Sequence, residues 1–183
     1  MNNIKLMPYN PKWADVFECD KETLQKHLHK YKNVKIHHVG STSMPTVEKA
    51  KPVIDILVEM DNYQDIKSAG SQMYSDGFRK EHDCNRLSFE LRMGIYNNDN
   101  KDLLVNMIHF DTVNPFKLND LLLFKRYILE HPDEAQKYFK LKENLVKKST
   151  KHYDYTHNKW DFVDIVNRKA ARLYTAGKQN KDK

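Results

Sequence analysis

Apolar residues in the first part of the chain recur every three or four positions in two stretches, which predicts two amphipathic helices. The first spans residues 11 to 31, where Asn10 supplies a capping side chain and Pro11 suits the first helical position. The second helix is predicted to be capped by Asp61 and to end at Gly77. Its inward face is predicted to carry three apolar side chains: Ile66, Ala69 and Met73.

Shorter apolar runs predict strands. Residues 34 to 39 form a short run that leads into a Gly-Ser turn, and residues 51 to 60 form a nearly continuous run, as expected in the middle of a sheet. Residues 86 to 96 alternate between apolar and polar side chains, and residues 103 to 113 are predicted to return antiparallel to them after an Asn-rich turn. The order strand, strand, helix, hairpin predicts an α+β fold with a mixed β-sheet and flanking helices.

From residue 116 onward the pattern is helical. His131 and Pro132 are predicted to end the first of three helices and to start the second. The third helix is predicted from about Tyr155 to Tyr174, with an apolar stripe made of Trp160, Val163, Val166 and Ala170. We expect this C-terminal helical segment to pack on the sheet.

Length and composition indicate one folded domain. The chain has 183 residues, of which 39% are hydrophobic, enough for a proper core. The prediction is a single domain over residues 1–175, with a core of about 11–113 and a helical part of about 116–174. A polar tail over residues 176–183 is predicted to be disordered.

Charge and cysteine content narrow the classes of function. The net charge of +6 suits a phosphorylated small molecule, and it does not exclude a nucleic acid, which we regard as the less favoured partner. Cys19 and Cys84 are far apart and form no metal-type repeat, as expected for a reduced, cytoplasmic protein. No apolar run approaches the roughly 18 residues of a membrane span, so no membrane association is predicted. The sequence does not indicate the oligomeric state.

A polar turn between the first two predicted strands carries the candidate chemistry. Gly40 lets the backbone approach a ligand closely, and hydroxyl groups and backbone N–H groups next to it can bind a phosphate. Those hydroxyl groups belong to Ser41, Thr42 and Ser43. Asp55 lies inside the apolar second strand, where an acid is costly to bury without a partner, and a metal ion is a common partner. The turn and the acid together predict a phosphate-plus-metal site.

Other chemistries fit less well. Ser41 and Ser43 lack the Gly-x-Ser-x-Gly elbow of serine hydrolases, and no Walker-type phosphate loop is present. His82 and Cys84 have the spacing to share a strand face as zinc ligands, but no second pair at zinc spacing follows.

Several motifs, in order along roughly residues 5 to 172, resemble those of the GrpB family, which is grouped with the nucleotidyltransferase-like superfamily. The motifs are Tyr9-Asn10-Pro11-Lys12-Trp13, His38-Val39-Gly40-Ser41-Thr42-Ser43-Met44-Pro45, Lys51-Pro52-Val53-Ile54-Asp55-Ile56, Asn106-Met107-Ile108-His109-Phe110, Phe124-Lys125-Arg126-Tyr127-Ile128-Leu129-Glu130-His131-Pro132 and Tyr155-Thr156-His157-Asn158-Lys159. The resemblance implies a nucleotidyltransferase-like mixed sheet.

In nucleotidyltransferases a Gly-Ser turn holds the triphosphate, and an Asp-x-Asp strand with a third carboxylate holds two divalent ions. Asp55 matches the first acid, but Leu57 stands where the second is expected. Glu59 shares the strand face of Asp55 at a separation of about 13 Å. Cooperating metal ions sit roughly 4 Å apart, so Glu59 cannot replace the missing acid.

The resemblance also implies further site residues. His109 matches a family histidine that would bind a metal or accept a proton, and Tyr155 and Lys159 match a pattern that would face the cleft, where the lysine would contact phosphate. Position in the chain adds two more candidates: Glu90, on the strand next to that of His109, as a further metal ligand, and Lys51, just before the strand of Asp55, as a phosphate contact. For several of these residues a structural role stays open: a half-buried strand histidine for His109, a solvent-facing acid for Glu90 and a carboxylate satisfied by the turn for Asp55.

Two functions follow as hypotheses. The first is a nucleotidyltransferase-like enzyme that uses Mg²⁺ or Mn²⁺ to transfer a nucleotidyl group from a nucleoside triphosphate to an acceptor that the sequence does not identify. The second is a non-catalytic module that binds a nucleotide or another phosphorylated metabolite through a degenerate metal site, which Leu57 motivates.

Overall fold

The computed structural model describes residues 5–76, 79–80, 91–93, 105–114, 119–148, 155 and 157–179. In chain order the elements are β1 (Met7–Pro8), α1 (Lys12–Leu28), β2 (Lys35–Val39), a 3₁₀ turn (Ser41–Ser43), β3 (Lys49–Ala50), β4 (Val53–Met60), α2 (Tyr63–Ser75), β5 (Arg79–Lys80), β6 (Leu91–Met93), β7 (Val105–Thr112), α3 (Asp120–Glu130), α4 (Pro132–Lys148) and α5 (Trp160–Gln179). Among the described residues, no helix combines the length and the apolar character that crossing a membrane would require.

The chain divides into two compact units. The sheet unit comprises residues 10–43 and 52–117, and the helical unit comprises residues 1–9, 44–51 and 118–183. The chain therefore passes repeatedly from one unit to the other. Segment 44–51 belongs to the helical unit although it lies between two strands of the sheet unit, which the sequence did not predict.

The sheet unit contains a mixed sheet in the order β2-β4-β7-β6-β5, which confirms the predicted α+β fold with a mixed sheet. The central strands β4 and β7 are parallel, and the other neighbouring strands are antiparallel. Of the strand predicted over residues 86–96, only Leu91–Met93 lies within the described residues, and it pairs antiparallel with β7 as expected.

Strand β4 lies inside this sheet, between β2 and β7, and it carries apolar side chains on both faces, as expected for an interior strand. Its buried apolar side chains, each at most 1% exposed, are Ile54, Ile56, Leu57, Val58 and Met60. Full burial of one such side chain stabilises the fold by roughly 1.5–3 kcal/mol. Burial of several of them therefore holds β4, and the side chains it carries, firmly in the sheet unit. The strand has two polar residues, the half-buried Asp55 near its start and the buried Glu59 near its end.

Capping residues fix the two helices of the sheet unit. The backbone N–H of Lys12 donates to Asn10 Oδ1 at 3.0 Å, so Asn10 caps α1 as predicted. The predicted cap of α2 was wrong by one residue, because the Asn62 side chain accepts from the backbone N–H of Asp65. Asp61 instead accepts a hydrogen bond from the Asn33 side chain at 2.9 Å. Gly77, the predicted end of α2, lies outside the described residues.

The helical unit contains α3, α4 and α5 together with the small β1–β3 ribbon. His131 and Pro132 separate α3 from α4 as predicted. The core of this unit joins the three helices to segment 44–51, and its buried members are Met44, Val47, Leu123, Phe124, Tyr127, Ile128, Ala135, Tyr138, Val166 and Ala170. Trp160 is 44% exposed, so its predicted place in the buried stripe was wrong; it is the first residue of α5.

Candidate functional site

The turn after β2 is built around Gly40. Its φ of +69° lies in the left-handed region that favours glycine. A Cβ at this position would lie 2.0 Å from Oδ2 of Asp55, so a side chain here would collide with the carboxylate. The Gly40 backbone and the Asp55 side chain therefore occupy adjoining space, and each constrains the other.

Hydroxyl groups hold this turn in place. The Ser43 hydroxyl and backbone N–H both donate to the Gly40 carbonyl, at 2.8 and 3.2 Å. The Thr42 hydroxyl donates to the Val53 carbonyl at 2.9 Å, its oxygen lies 3.1 Å from His38 Nε2, and its side chain is 1% exposed. Thr42 and Ser43, both predicted phosphate contacts, thus use their hydroxyl groups within the protein. Gly40, Ser41 and Ser43 are half-buried, whereas Thr42 is buried.

Strand register brings Asp55 to the turn and to His109. Asp55 pairs with Val39 on β2, the residue before Gly40, and with Met107 on β7. His109 lies two residues beyond Met107 on the same face, and its Nε2 is 3.3 Å from Asp55 Oδ1. The two side chains are 29% and 18% exposed, so solvent or a ligand can reach both. The predicted neighbours Gly40, Asp55 and His109 are therefore close together in the sheet unit.

The position expected for a second acid is apolar and closed. Leu57 is 1% exposed, and its strand partners on either side are His37 and His109. Glu59 lies further along the strand, and its Oε2 is 2.9 Å from His37 Nε2. Its carboxylate is thus paired with a histidine, away from Asp55. Glu90, the predicted further metal ligand, lies outside the described residues.

The donor set next to Gly40 suits one cation. Among the described residues there is no group of three or more His, Cys, Asp or Glu side chains placed to hold a metal ion. Asp55 and His109 offer one carboxylate and one imidazole. Mg²⁺ bound with phosphates needs only one or two protein carboxylates besides water, and carboxylate oxygens suit Mn²⁺ as well. The described residues thus fit a single ion but lack the second acid of a two-ion site.

Three of the predicted phosphate contacts lie together in the helical unit. Tyr155 is 1% exposed, and burial raises the pKa of its hydroxyl. The ammonium groups of Lys51 and Lys159 lie 4.9 and 5.5 Å from the centre of its ring, within the range of cation–π attraction. Lys51 and Lys159 thus both contact Tyr155, and the role of the three residues in ligand binding stays a prediction.

Sequence reasoning missed a fourth residue of this group, Lys142 on α4. Its side chain is 1% exposed, its Nζ donates to the Lys49 carbonyl, and burial is the largest cause that lowers its pKa to about 7. The signal was present in the spacing, because Lys142 lies four residues after Tyr138 and three before Leu145, on the buried face of the helix. The sequence analysis did not single out Lys142, because lysine is rarely buried.

The sequence has relatives along its whole length. YqkA of Bacillus subtilis is 29% identical over 182 residues, which are 97% of this chain and 50% of YqkA. The glutamate-rich protein GrpB of Alkalihalophilus pseudofirmus is 26% identical over 174 residues, which are 88% of this chain and 92% of that protein. The chain thus spans half the length of YqkA and most of the second relative.

Solved structures show the same architecture. The conserved protein GrpB from Enterococcus faecalis superposes with a TM-score of 0.75 at 24% identity, over 93% of this chain and 99% of that one. The Cid1 poly(U) polymerase, in a structure with MgGTP bound, superposes with a TM-score of 0.53 at 16% identity, over 76% of this chain and 44% of Cid1. These likenesses establish a nucleotidyltransferase-like fold. A family model described as GrpB protein matches residues 3–169, and the chain belongs to the GrpB family.

Proposed function

We propose that this protein binds a nucleoside triphosphate with one divalent cation and transfers the nucleotidyl group to an acceptor. The observation that carries the proposal is the half-exposed Asp55 carboxylate, which adjoins Gly40 and lies 3.3 Å from His109. The fold supports it, because the structurally similar Cid1 is a poly(U) polymerase whose structure has MgGTP bound. The acceptor is not assigned.

Asp55 has two tasks in this proposal. One carboxylate oxygen accepts a hydrogen bond from the Nε2–H of His109, which fixes the tautomer and the orientation of the ring. The other oxygen, beside Gly40, is the one that would hold Mg²⁺ or Mn²⁺. The bound cation would neutralise charge on the phosphate oxygens of the nucleotide.

His109 is the proposed general base. With Nε2–H donated to Asp55, a neutral imidazole has its lone pair on Nδ1, which takes the proton of the acceptor hydroxyl or amine. The acceptor atom forms a bond to the α-phosphorus while the bond from that phosphorus to the bridging oxygen breaks, and pyrophosphate leaves. The carboxylate of Asp55 stabilises the imidazolium that results.

The buried Leu57 favours a second candidate function. Without an acid at this position the described residues have no ligand for a second ion, and enzymes that transfer phosphoryl groups commonly use two. In this alternative the protein binds a nucleotide or phosphorylated metabolite and does not turn it over. Binding that needs no cation, with no release of pyrophosphate, would favour this alternative.

Calorimetric titration tests the leading proposal. ATP, GTP, CTP and UTP are titrated with and without Mg²⁺ or Mn²⁺ into the wild type, Asp55→Ala and Glu59→Gln, and pyrophosphate release is followed in parallel. We expect cation-dependent binding of at least one nucleotide, weakened at least about tenfold by Asp55→Ala, the scale of one lost charge-assisted contact. Glu59→Gln is the matched control, because it removes a histidine-paired acid on the same strand away from Gly40.

Two results would contradict the proposal. One is equal nucleotide affinity in the wild type and Asp55→Ala, and the other is no binding in either protein. A loss of affinity in Glu59→Gln as large as that in Asp55→Ala would show that any disturbance of the sheet has this effect, and it would remove the support for Asp55.

A further inference from the structure

A pocket in the helical unit lies between the C-terminal end of α3 and one face of α5. Its lining residues are Tyr127, His131, Lys169, Arg172 and Leu173. The pocket is open to solvent and has a volume of about 510 Å³, within the range of roughly 300–1,000 Å³ that is usual for small-molecule sites. The proposed function uses none of these residues, although two of them belong to the family-like motif over residues 124–132.

The α3 side of the pocket is a pair of stacked rings. The rings of Tyr127 and His131 lie 3.9 Å apart, with 12° between their planes. Tyr127 is 8% exposed and His131 is half-buried, so the imidazole is the ring that a ligand can reach. His131 Nδ1 lies 2.8 Å from the Tyr127 carbonyl oxygen, which can only accept. A neutral imidazole therefore carries its proton on Nδ1 and its lone pair on Nε2.

The α5 side of the pocket is basic. Lys169, Arg172 and Leu173 share one face of the helix because they are three and four residues apart. Lys169 Nζ donates to Glu134 Oε1 at 3.1 Å, which fixes the position of the ammonium group. Arg172 is exposed and has no ion pair or hydrogen bond within the described part of the chain. Its guanidinium group is therefore available to bind an anion through two parallel hydrogen bonds.

The acids near this pocket do not cancel its positive charge. Glu130 pairs with Arg126 at 2.9 Å, away from the lining residues. Glu134 accepts from both Lys137 and Lys169, so one carboxylate faces two ammonium groups. One positive charge of that group is left over, and Arg172 adds a second. This excess matches a phosphate monoester, whose charge at pH 7 is about −1.5 to −2, better than a carboxylate with a single charge.

We propose that this pocket binds a nucleoside monophosphate, with its base stacked on the imidazole of His131 and its phosphate bound by Arg172 and Lys169. Nucleobases stack on aromatic side chains that include histidine, and arginine matches the geometry of phosphate oxygens. The lone pair on Nε2 of His131 accepts a hydrogen bond from a ribose hydroxyl. The inference does not depend on the proposed function, because it uses other residues and needs no metal ion.

Calorimetric titration of the full chain with AMP, in the presence of EDTA, tests the inference. Adenosine lacks the phosphate and inorganic phosphate lacks the base, so the two fragments report on the two halves of the site. We expect Arg172→Met to weaken AMP binding about tenfold or more and to leave adenosine binding unchanged. His131→Ala is expected to weaken AMP and adenosine binding alike, about fivefold or more, the scale of one lost base–aromatic stack.

Two further variants separate binding from folding. His131→Phe keeps an aromatic ring and is expected to restore most of the adenosine affinity that His131→Ala loses. Arg168→Met is the matched control, because Arg168 is an exposed arginine of α5 that pairs with Asp164 and does not line the pocket. It is expected to leave AMP affinity unchanged. A loss in Arg168→Met as large as that in Arg172→Met would show that only net charge matters and would overturn the inference.

Other results would also overturn it. One is no binding of AMP by the folded wild type, and another is equal AMP affinity in the wild type, Arg172→Met and His131→Ala. Benzoate binding as tight as AMP binding would reject a nucleotide as the ligand. Asp55→Ala separates this inference from the proposed function. Loss of AMP binding in that variant would place AMP at Asp55 and overturn the inference, whereas nucleoside triphosphate affinity that ignores both the cation and Asp55→Ala would reject the proposed function alone.

Discussion

Two histidine–carboxylate pairs lie on one face of the same sheet, and only one of them adjoins the glycine turn. His109 approaches Asp55 at 3.3 Å, and His37 approaches Glu59 at 2.9 Å. In the strand register both histidines flank Leu57, His37 on β2 and His109 on β7. In both pairs an acid of β4 contacts a histidine of a neighbouring strand, and Leu57 lies between the two acids.

They differ in how far the acid is open to a ligand. The Glu59 side chain is 10% exposed and has a close histidine contact, whereas the Asp55 side chain is 29% exposed and has a longer one. A short contact between buried side chains is typical of a structural ion pair. An exposed carboxylate beside a glycine can still accept a further ligand. The neighbourhood of an acid, rather than its residue type or its histidine, distinguishes a candidate site.

The largest expected effect comes from Gly40→Ala. Positive φ and the collision with Asp55 are expected to lower the free energy of unfolding by about 3 kcal/mol and to weaken nucleotide binding. Chemical denaturation of Gly40→Ala, Asp55→Ala and the double variant measures how strongly the two positions are coupled. We expect the double variant to be more stable than additivity predicts by about 1–2 kcal/mol. Strict additivity would mean that the carboxylate does not limit the space at Gly40.

The second-largest expected effect is on stability and concerns Asp20, an acid of the sheet unit that, unlike Asp55 and Glu59, is not paired with a histidine among the described residues. Among the described residues neither carboxylate oxygen of Asp20 has a hydrogen-bond partner, and burial raises its pKa to about 6. Because the unfolded chain loses this proton first, stability falls as pH rises from about 4 to 6. Asp20→Asn is therefore expected to stabilise the protein by about 2 kcal/mol at pH 8 and to have little effect at pH 4.

Denaturation curves at the two pH values give this difference directly. A gain that is the same at pH 4 and pH 8 would show that the charge of Asp20 is not the cause. A loss of stability at pH 8 would show that the carboxylate has a favourable partner.

The smallest expected effect separates the two pairs by stability alone. Glu59→Gln is expected to cost about 1 kcal/mol, because it weakens a nearly buried charge-assisted contact with His37. Asp55→Asn, at the more open pair, is expected to change stability by less than about 0.5 kcal/mol. Equal losses of unfolding free energy in the two variants would abolish the distinction between a structural and an open pair.

Local features were well predicted because they depend on neighbours in the sequence. Asn10 caps α1, His131 and Pro132 separate two helices, and the apolar run of β4 forms an interior strand of the sheet. The cap of α2 was misplaced because Asp61 and Asn62 are both good capping residues, and their types alone do not choose between them. In the structure Asn62 caps the helix, and Asp61 accepts a hydrogen bond from Asn33, a residue distant in sequence.

The site was predicted in part. The pattern singled out Gly40 and Asp55, whereas His109 came from the family resemblance, because its contact depends on a parallel pairing between strands distant in sequence. The buried Lys142 and Asp20 were missed, because lysine and aspartate are rarely buried and only the tertiary packing shows that these two are.

Segment 44–51 has a consequence for how the protein is made. Met44 and Val47 find their packing partners in helices that the ribosome adds much later, with Val166 and Ala170 among the last. When β7 has just been synthesised, Met44 and Val47 therefore still lack these packing partners. Contacts between residues so distant in sequence also form slowly. A fragment that ends at residue 117 would not be an independent sheet unit, because it would still contain segment 44–51, which belongs to the helical unit.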